Sequence, residues 1–162
     1  MSSRRELVGE LTLALRELRG RLFQVNQSVG EHVGLGTIEL EFIDAIARVD
    51  SGHLHSGAVT PGWLASASGL SPATVTGILD RLEKDGWIRR ERDVEDRRKV
   101  LVHVKTERAP ELFRLYSPML GRFAAILKTY SDKELEMLLK FMRQVRDAGD
   151  EAVAEIRERA AT

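Results

Sequence analysis

Thr60-Pro61-Gly62-Trp63-Leu64-Ala65-Ser66-Ala67-Ser68-Gly69-Leu70-Ser71-Pro72-Ala73-Thr74-Val75 places one helix-start signal twice, eleven residues apart. Thr60 and Ser71 each offer a side-chain oxygen as a cap, and Pro61 and Pro72 follow where a missing N–H costs nothing. Trp63, Leu64 and Ala67 give the first short helix an inward side. Val75, Ile78, Leu79 and Leu82 give the second a single apolar face, and Gly86 ends it. Ser68-Gly69-Leu70 is a tight connection with glycine at its centre. Two helices joined by so short a glycine turn are a helix-turn-helix unit.

Past Gly86 the period changes. Trp87 to Arg92 and Val100 to Val104 predict two short strands, the second alternating at period two. Their link, Asp93-Val94-Glu95-Asp96-Arg97-Arg98-Lys99, is polar and highly charged. Helix-turn-helix followed by a charged hairpin is a winged helix.

On the N-terminal side, Leu7, Leu11, Leu15, Leu18, Leu22, Val25 and Val29 form one stripe at helical spacing. They predict a helix of roughly 25 residues, long against a mean near 11–12, with Gly30, Gly34 and Gly36 ending it. Thr37 reads as the cap of a second helix that buries Ile38, Phe42, Ile43 and Ile46. On the C-terminal side, Leu112, Leu115, Tyr116, Met119, Phe123, Ile126, Leu127 and Tyr130 make another stripe, which Pro118 is expected to kink or break. Ser131-Asp132-Lys133-Glu134 fits a capping box, followed by Leu135, Leu138, Leu139, Met142 and Val145, then Val153 and Ile156 past Gly149.

The fold expected is mainly α with a small β-hairpin wing. N-terminal residues 1–36 and C-terminal residues 107–162 are dimerisation helices around a winged helix at 37–106. The flanks hold more apolar helix than the middle can bury, so a second copy is expected to cover them.

Composition narrows the function. The 162 residues carry 25 Lys+Arg against 25 Asp+Glu and no cysteine. Thiol catalysis, disulfides and thiolate metal sites are thereby excluded. No apolar run approaches the ~18 residues of a membrane span, and the first residues lack the pattern of a secretory signal, so an intracellular protein is expected. A neutral total leaves nucleic-acid binding to local clustering. Residues 71–105 hold nine basic and seven acidic residues, a net of +2, while residues 131–162 hold six and eight, a net of −2. No phosphate-binding glycine loop, His-Glu-x-x-His helix or Gly-x-Ser-x-Gly elbow is present, so no catalytic residues and no enzyme are expected.

A major groove about 12 Å wide admits one helix. Ala73, Thr74, Thr76 and Gly77 avoid the apolar side of the second short helix and are small enough for close approach. Ser71 and Pro72 sit at its start, where backbone N–H groups suit a phosphate, and Arg81 is placed for the DNA backbone. In the hairpin, Arg97, Arg98 and Lys99 are the candidates for a minor groove, where narrow A·T stretches focus negative potential. The rival reading is a winged helix used for protein contact, without sequence-specific DNA binding. Phe23, Phe42, Trp63, Phe113, Tyr116 and Phe123 are candidates to line a ligand cavity, against the plainer reading of core. His53 and His55, with His32 and His103, are a weak metal signature, since structural zinc normally takes four ligands, and no metal is expected.

The run from Thr60 to about Thr106 resembles the multiple antibiotic resistance regulator (MarR) family of bacterial transcription factors. The matching text is Leu64-Ala65, Gly69 to Thr76, Leu79 to Arg90, and the Asp-x-Arg wing from Asp93 to Val100. Gly77 stands where many members carry a larger or basic residue. The resemblance implies a cytoplasmic homodimer on double-stranded DNA with a short palindromic operator. Repression is the usual outcome, with release by a small aromatic effector and no membrane partner. It also implies that Asp96 pairs with the wing arginine and holds the wing's shape. The missing cysteine excludes the branch that senses peroxide through a thiol.

Overall fold

The computed structural model describes residues 3–52 and 58–160. They form α1 (Arg4–Val33), α2 (Thr37–Asp50), α3 (Pro61–Ser68), α4 (Pro72–Lys84), β1 (Ile88–Arg92), β2 (Val100–Val104), α5 (Ala109–Leu127) and α6 (Asp132–Ala160). The chain divides into two compact units between Leu115 and Tyr116, within α5.

In the first unit, both proline starts work as caps. Thr60 Oγ1 accepts from the Trp63 N–H at 3.1 Å, and Ser71 Oγ from the Thr74 N–H at 3.2 Å. Gly69 closes α3 at φ 72°. Gly86, at φ 76°, donates to Glu83 O at 3.0 Å and lets Trp87 N–H reach Leu82 O at 2.9 Å, so the chain leaves α4 straight into β1. The hairpin is antiparallel in the register Ile88↔Val104 to Arg92↔Val100. Val102 N–H also donates to Val59 O at 2.9 Å. Leu64, Val75, Leu79, Leu82, Trp87, Ile88 and Val102 are fully enclosed, and Phe42, Ile43 and Ile46 of α2 are buried with them in the core of this unit.

Three expectations need correction. Gly30 does not end α1, which runs on to Val33, and Gly34 at φ 74° is its cap. Gly30 is a close-approach residue instead: a Cβ there would stand 2.3 Å from Leu35 O. Thr37 is the first residue of α2 rather than its cap. Gly36 holds that place, its N–H donating to Glu39 Oε2 at 2.6 Å. Pro118 does not break its helix, since α5 continues from Ala109 to Leu127.

In the second unit, Glu134 Oε2 accepts from both Ser131 N–H (2.8 Å) and Ser131 Oγ–H (2.6 Å), which starts α6 and holds the Glu134 carboxyl below its ordinary pKa. Gly149 is carried inside the 29-residue helix.

Candidate nucleic-acid interface

Helix α4 has two faces because its apolar residues recur at helical period. Val75, Leu79 and Leu82 are buried, while Ser71, Pro72, Ala73, Thr74, Thr76 and Gly77 are exposed. The hydroxyls of this face are already oriented. Ser71 Oγ and Thr74 Oγ1 are 2.8 Å apart, and Thr76 Oγ1 donates to Pro72 O at 2.9 Å. Thr76 Oγ1, whose hydrogen is committed to Pro72 O, retains acceptor capacity. A Cβ added at Gly77 meets nothing within 4 Å, so the face there is open.

The wing is built around two aspartates. Asp93 Oδ1 accepts from the backbone N–H groups of Glu95 (2.7 Å) and Asp96 (3.0 Å). Asp96 Oδ1 accepts from the Arg98 N–H and from its Nε, both at 3.1 Å, with Arg98 Nη2 3.4 Å from Oδ2. Lys99 N–H donates to Asp96 O at 2.8 Å and Asp93 N–H to Lys99 O at 3.1 Å, closing the loop. Arg97, Arg98 and Lys99 remain exposed on it, the Arg98 side chain to 92%. The Arg98 guanidinium, then its N–H, hold the Asp96 carboxyl below its ordinary pKa. The Asp96 N–H, then that of Glu95, do the same for Asp93.

These directions fix a pH dependence. A carboxyl lowered in the folded chain contributes above its unfolded value of 3.8, and the contribution is lost as pH falls through the lowered one. The Glu95, Asp96 and Arg98 amide resonances are expected to stay native-like above that value and to shift only below it. Asp93→Ala and Asp96→Ala, which remove the accepting oxygens, should each release the wing amides at neutral pH, and an unaltered wing in both variants would contradict this account of its shape.

The bases nearer the helix are engaged internally. Arg90 pairs with Asp80, its Nε lies 3.2 Å from Glu83 Oε2, and its N–H donates to Glu83 Oε1 at 2.9 Å, tying β1 to α4. Arg89 pairs with Glu91. Arg81, read from sequence as a DNA-backbone contact, has other partners. Its Nη2 donates to Gly34 O at 3.1 Å, Nη1 lies 3.3 Å from Glu39 Oε1, and Nε lies 3.8 Å from Asp85 Oδ2.

Several residues that position the site give no local signal in the sequence. Asp50, at the end of α2, lies 2.9 Å from His103 Nδ1 and accepts from Val104 N–H at 3.0 Å, fastening β2. His103 Nε2 is 3.2 Å from Glu91 Oε1. Arg108 stacks 3.5 Å from the centre of the Trp87 ring and donates to Asp85 O at 2.8 Å, holding the start of α5 to the end of α4.

The six aromatic cavity candidates are not all together. Phe42 and Trp63 line a cleft of about 260 Å³ between α2 and α3, with Glu41, Asp44 and Arg48 among its walls. Phe23 and Phe113 are exposed and are not part of its lining, and Tyr116 and Phe123 belong to the second unit. His53 and His55 lie outside the described residues. Among the described residues no group of three or more His, Asp or Glu side chains is arranged to hold a metal ion, and no helix is long and apolar enough to cross a membrane.

Residues 54–100 match the model of the MarR family. The chain is 28% identical over 157 residues to the uncharacterized HTH-type transcriptional regulator YcgE of Bacillus subtilis, covering 97% of each. It is 33% identical over 84 residues to the HTH-type transcriptional repressor YetL of the same organism, covering 52% of this chain and 50% of YetL. Among solved structures, a mutant MepR from Staphylococcus aureus superimposes with a TM-score of 0.70 at 14% identity, covering 85% of this chain and 96% of that one. Another MepR mutant, bound to an oligodeoxyribonucleotide, gives 0.54 at 17% identity over the same shares. At these identities the structures establish a common fold.

Proposed function

We propose, from the match of residues 54–100 to the MarR family model, that the protein is a DNA-binding transcriptional regulator, a repressor that acts in the cytoplasm as a homodimer on a palindromic operator. The observation that carries this reading is the exposed face of α4, made of small and hydroxyl side chains, beside a wing whose exposed tip holds Arg97, Arg98 and Lys99. The relative named a repressor and the neighbour bound to an oligodeoxyribonucleotide support it.

Leu7, Leu11, Leu15, Leu18 and Leu22 of α1 support the homodimer. They form one stripe yet stand 37–59% exposed. A stripe of five leucines left in water is the kind of contiguous apolar surface that marks an interface. A small aromatic effector would lie in the α2–α3 cleft with its ring against Phe42 and Trp63, and an acid there would have to draw Arg48 from Asp44, with which it pairs at 3.0 Å. A rise in melting temperature with benzoates, absent in Trp63→Ala, tests that site.

Selection of bound duplexes from the source genome, followed by binding titrations over a salt series, tests the function. Affinity should fall as salt rises, since each phosphate neutralised releases counterions. Arg98→Ala is expected to cost about 1–3 kcal/mol on the selected duplex if the side chain reaches base edges. Unchanged binding by that variant removes the wing from the mechanism. Salt-insensitive or absent binding, with a protein partner recovered instead, favours the protein-contact alternative.

A further inference from the structure

We propose that Arg81 is a positioning residue which locks the rotation of α4 to the corner between α1 and α2, through Glu39 and the Gly34 carbonyl. The inference rests on the DNA-reading role of α4 and names what sets that helix's angle.

Glu39 is the buried charged residue of the described core, its side chain 8% exposed. One carboxylate oxygen accepts from Gly36 N–H at 2.6 Å, and the other faces Arg81 Nη1 at 3.3 Å. A carboxylate removed from water needs both donors and a counter-charge. The corner supplies one donor, and α4 supplies the charge. Arg81 Nη2 simultaneously donates to Gly34 O at 3.1 Å, the carbonyl of the left-handed residue that ends α1. All three guanidinium nitrogens therefore face a protein oxygen, with Asp85 Oδ2 at 3.8 Å from Nε the third.

This geometry does what apolar packing cannot. Val75, Leu79 and Leu82 hold α4 by non-directional contacts, which a small roll of the helix leaves largely intact. A planar fork meeting a carboxylate and a carbonyl is directional. It fixes which residues of α4 face outward, and it does so from a point 47 residues earlier in the chain. Movement at the end of α1 is thereby passed to Thr74, Thr76 and Gly77.

The test compares Arg81→Lys, Arg81→Gln, Glu39→Gln and the Arg81→Gln/Glu39→Gln pair. Each is titrated over a salt series with a duplex selected by the unaltered protein, and hydrogen exchange is followed at the backbone amides of residues 74–82. A lost hydrogen bond to a buried charge predicts weakening by about tenfold in each single variant. The lysine variant should weaken as well, because an ammonium cannot hold both acceptors. The pair should bind no worse than its weaker single member. The slope of log affinity against log salt should stay that of the unaltered protein, and exchange in α4 should accelerate. A salt slope smaller by about one unit in Arg81→Gln, with lysine tolerated and Glu39→Gln silent, identifies a phosphate contact and overturns the proposal. Unchanged α4 exchange in Arg81→Lys and Glu39→Gln also overturns it, whether or not DNA binds. Failure of the unaltered protein to bind any duplex is a separate result that removes the DNA reading itself.

Discussion

Gly77→Glu is expected to abolish DNA binding while leaving the fold intact. The two halves of that expectation have separate causes. Gly77 lies inside α4 with open space where a Cβ would go. Glycine in an exposed helix interior costs about 0.8–1.0 kcal/mol relative to alanine, so most side chains at this position stabilise the helix. Gly77→Ala should raise stability by up to about 1 kcal/mol, and Gly77→Glu should not lower the melting temperature. On DNA the same carboxylate is brought against phosphates, and like charges juxtaposed across an interface cost several kcal/mol. At 1.4 kcal/mol per tenfold this is a loss of about a hundredfold or more. Thermal unfolding and duplex titration of the same preparation check both. A folded Gly77→Glu protein that binds as tightly as the parent would mean that this face of α4 does not dock on DNA.

The second large effect has the opposite sign for the same kind of substitution. Gly30→Ala should destabilise the protein, although alanine is the better helix former. A methyl at Gly30 would stand 2.3 Å from Leu35 O, with Leu40 Cδ1 also close at 3.4 Å. The contact cannot open freely, because Leu35 N–H donates to Gly30 O at 2.9 Å. Backbone must therefore move at the corner that Glu39 and Arg81 share. Overpacking of this kind costs about 1–3 kcal/mol, and at ~2–4 °C per kcal/mol for a chain of this size the melting temperature should fall by about 2–12 °C. Gly77→Ala serves as its control. Equal melting temperatures for Gly30→Ala and the parent would contradict the close approach.

This pair of glycines also shows which parts of the fold could be read from sequence. Gly69 and Gly86 sit at turns, where flanking residues announce a left-handed step, and both turns are where the pattern put them. Gly30 looks like a helix stop beside Gly34 and Gly36. Its actual cause is the nearness of Leu35 O, which no local pattern encodes. The caps Thr60 and Ser71, the buried face of α4 and the strand pair 88–92 with 100–104 depend on spacings within a few residues, and were legible. Of the kink or break expected at Pro118, the break is absent for a physical reason too. Proline removes one hydrogen bond and crowds one carbonyl, and a 19-residue helix with a continuous apolar stripe carries on past it.

The candidate interface divides along the same line. The exposed positions of α4 follow from helical period, whereas the Asp96 pairing in the wing was implied by the family resemblance and the Asp93 turn had no reading in the sequence. The partners of Arg81 and His103 do not follow from any local pattern, because Gly34 and Asp50 lie 47 and 53 residues away. An arginine on a surface helix reads as a phosphate contact until a buried acid elsewhere is seen to need it. The aromatic residues were ambiguous for a related reason, since size and apolarity alone do not separate a core ring such as Phe42 from an exposed one such as Phe113.

The most direct test of the central claim is a footprint of the protein on its selected duplex at hydroxyl-radical resolution. A twofold protein with α4 and the wing as its reading elements should protect two symmetry-related patches, their centres about one helical turn or a multiple of it apart, with minor-groove protection flanking each patch. A single asymmetric patch, or no protection at any salt concentration low enough to favour binding, would contradict it.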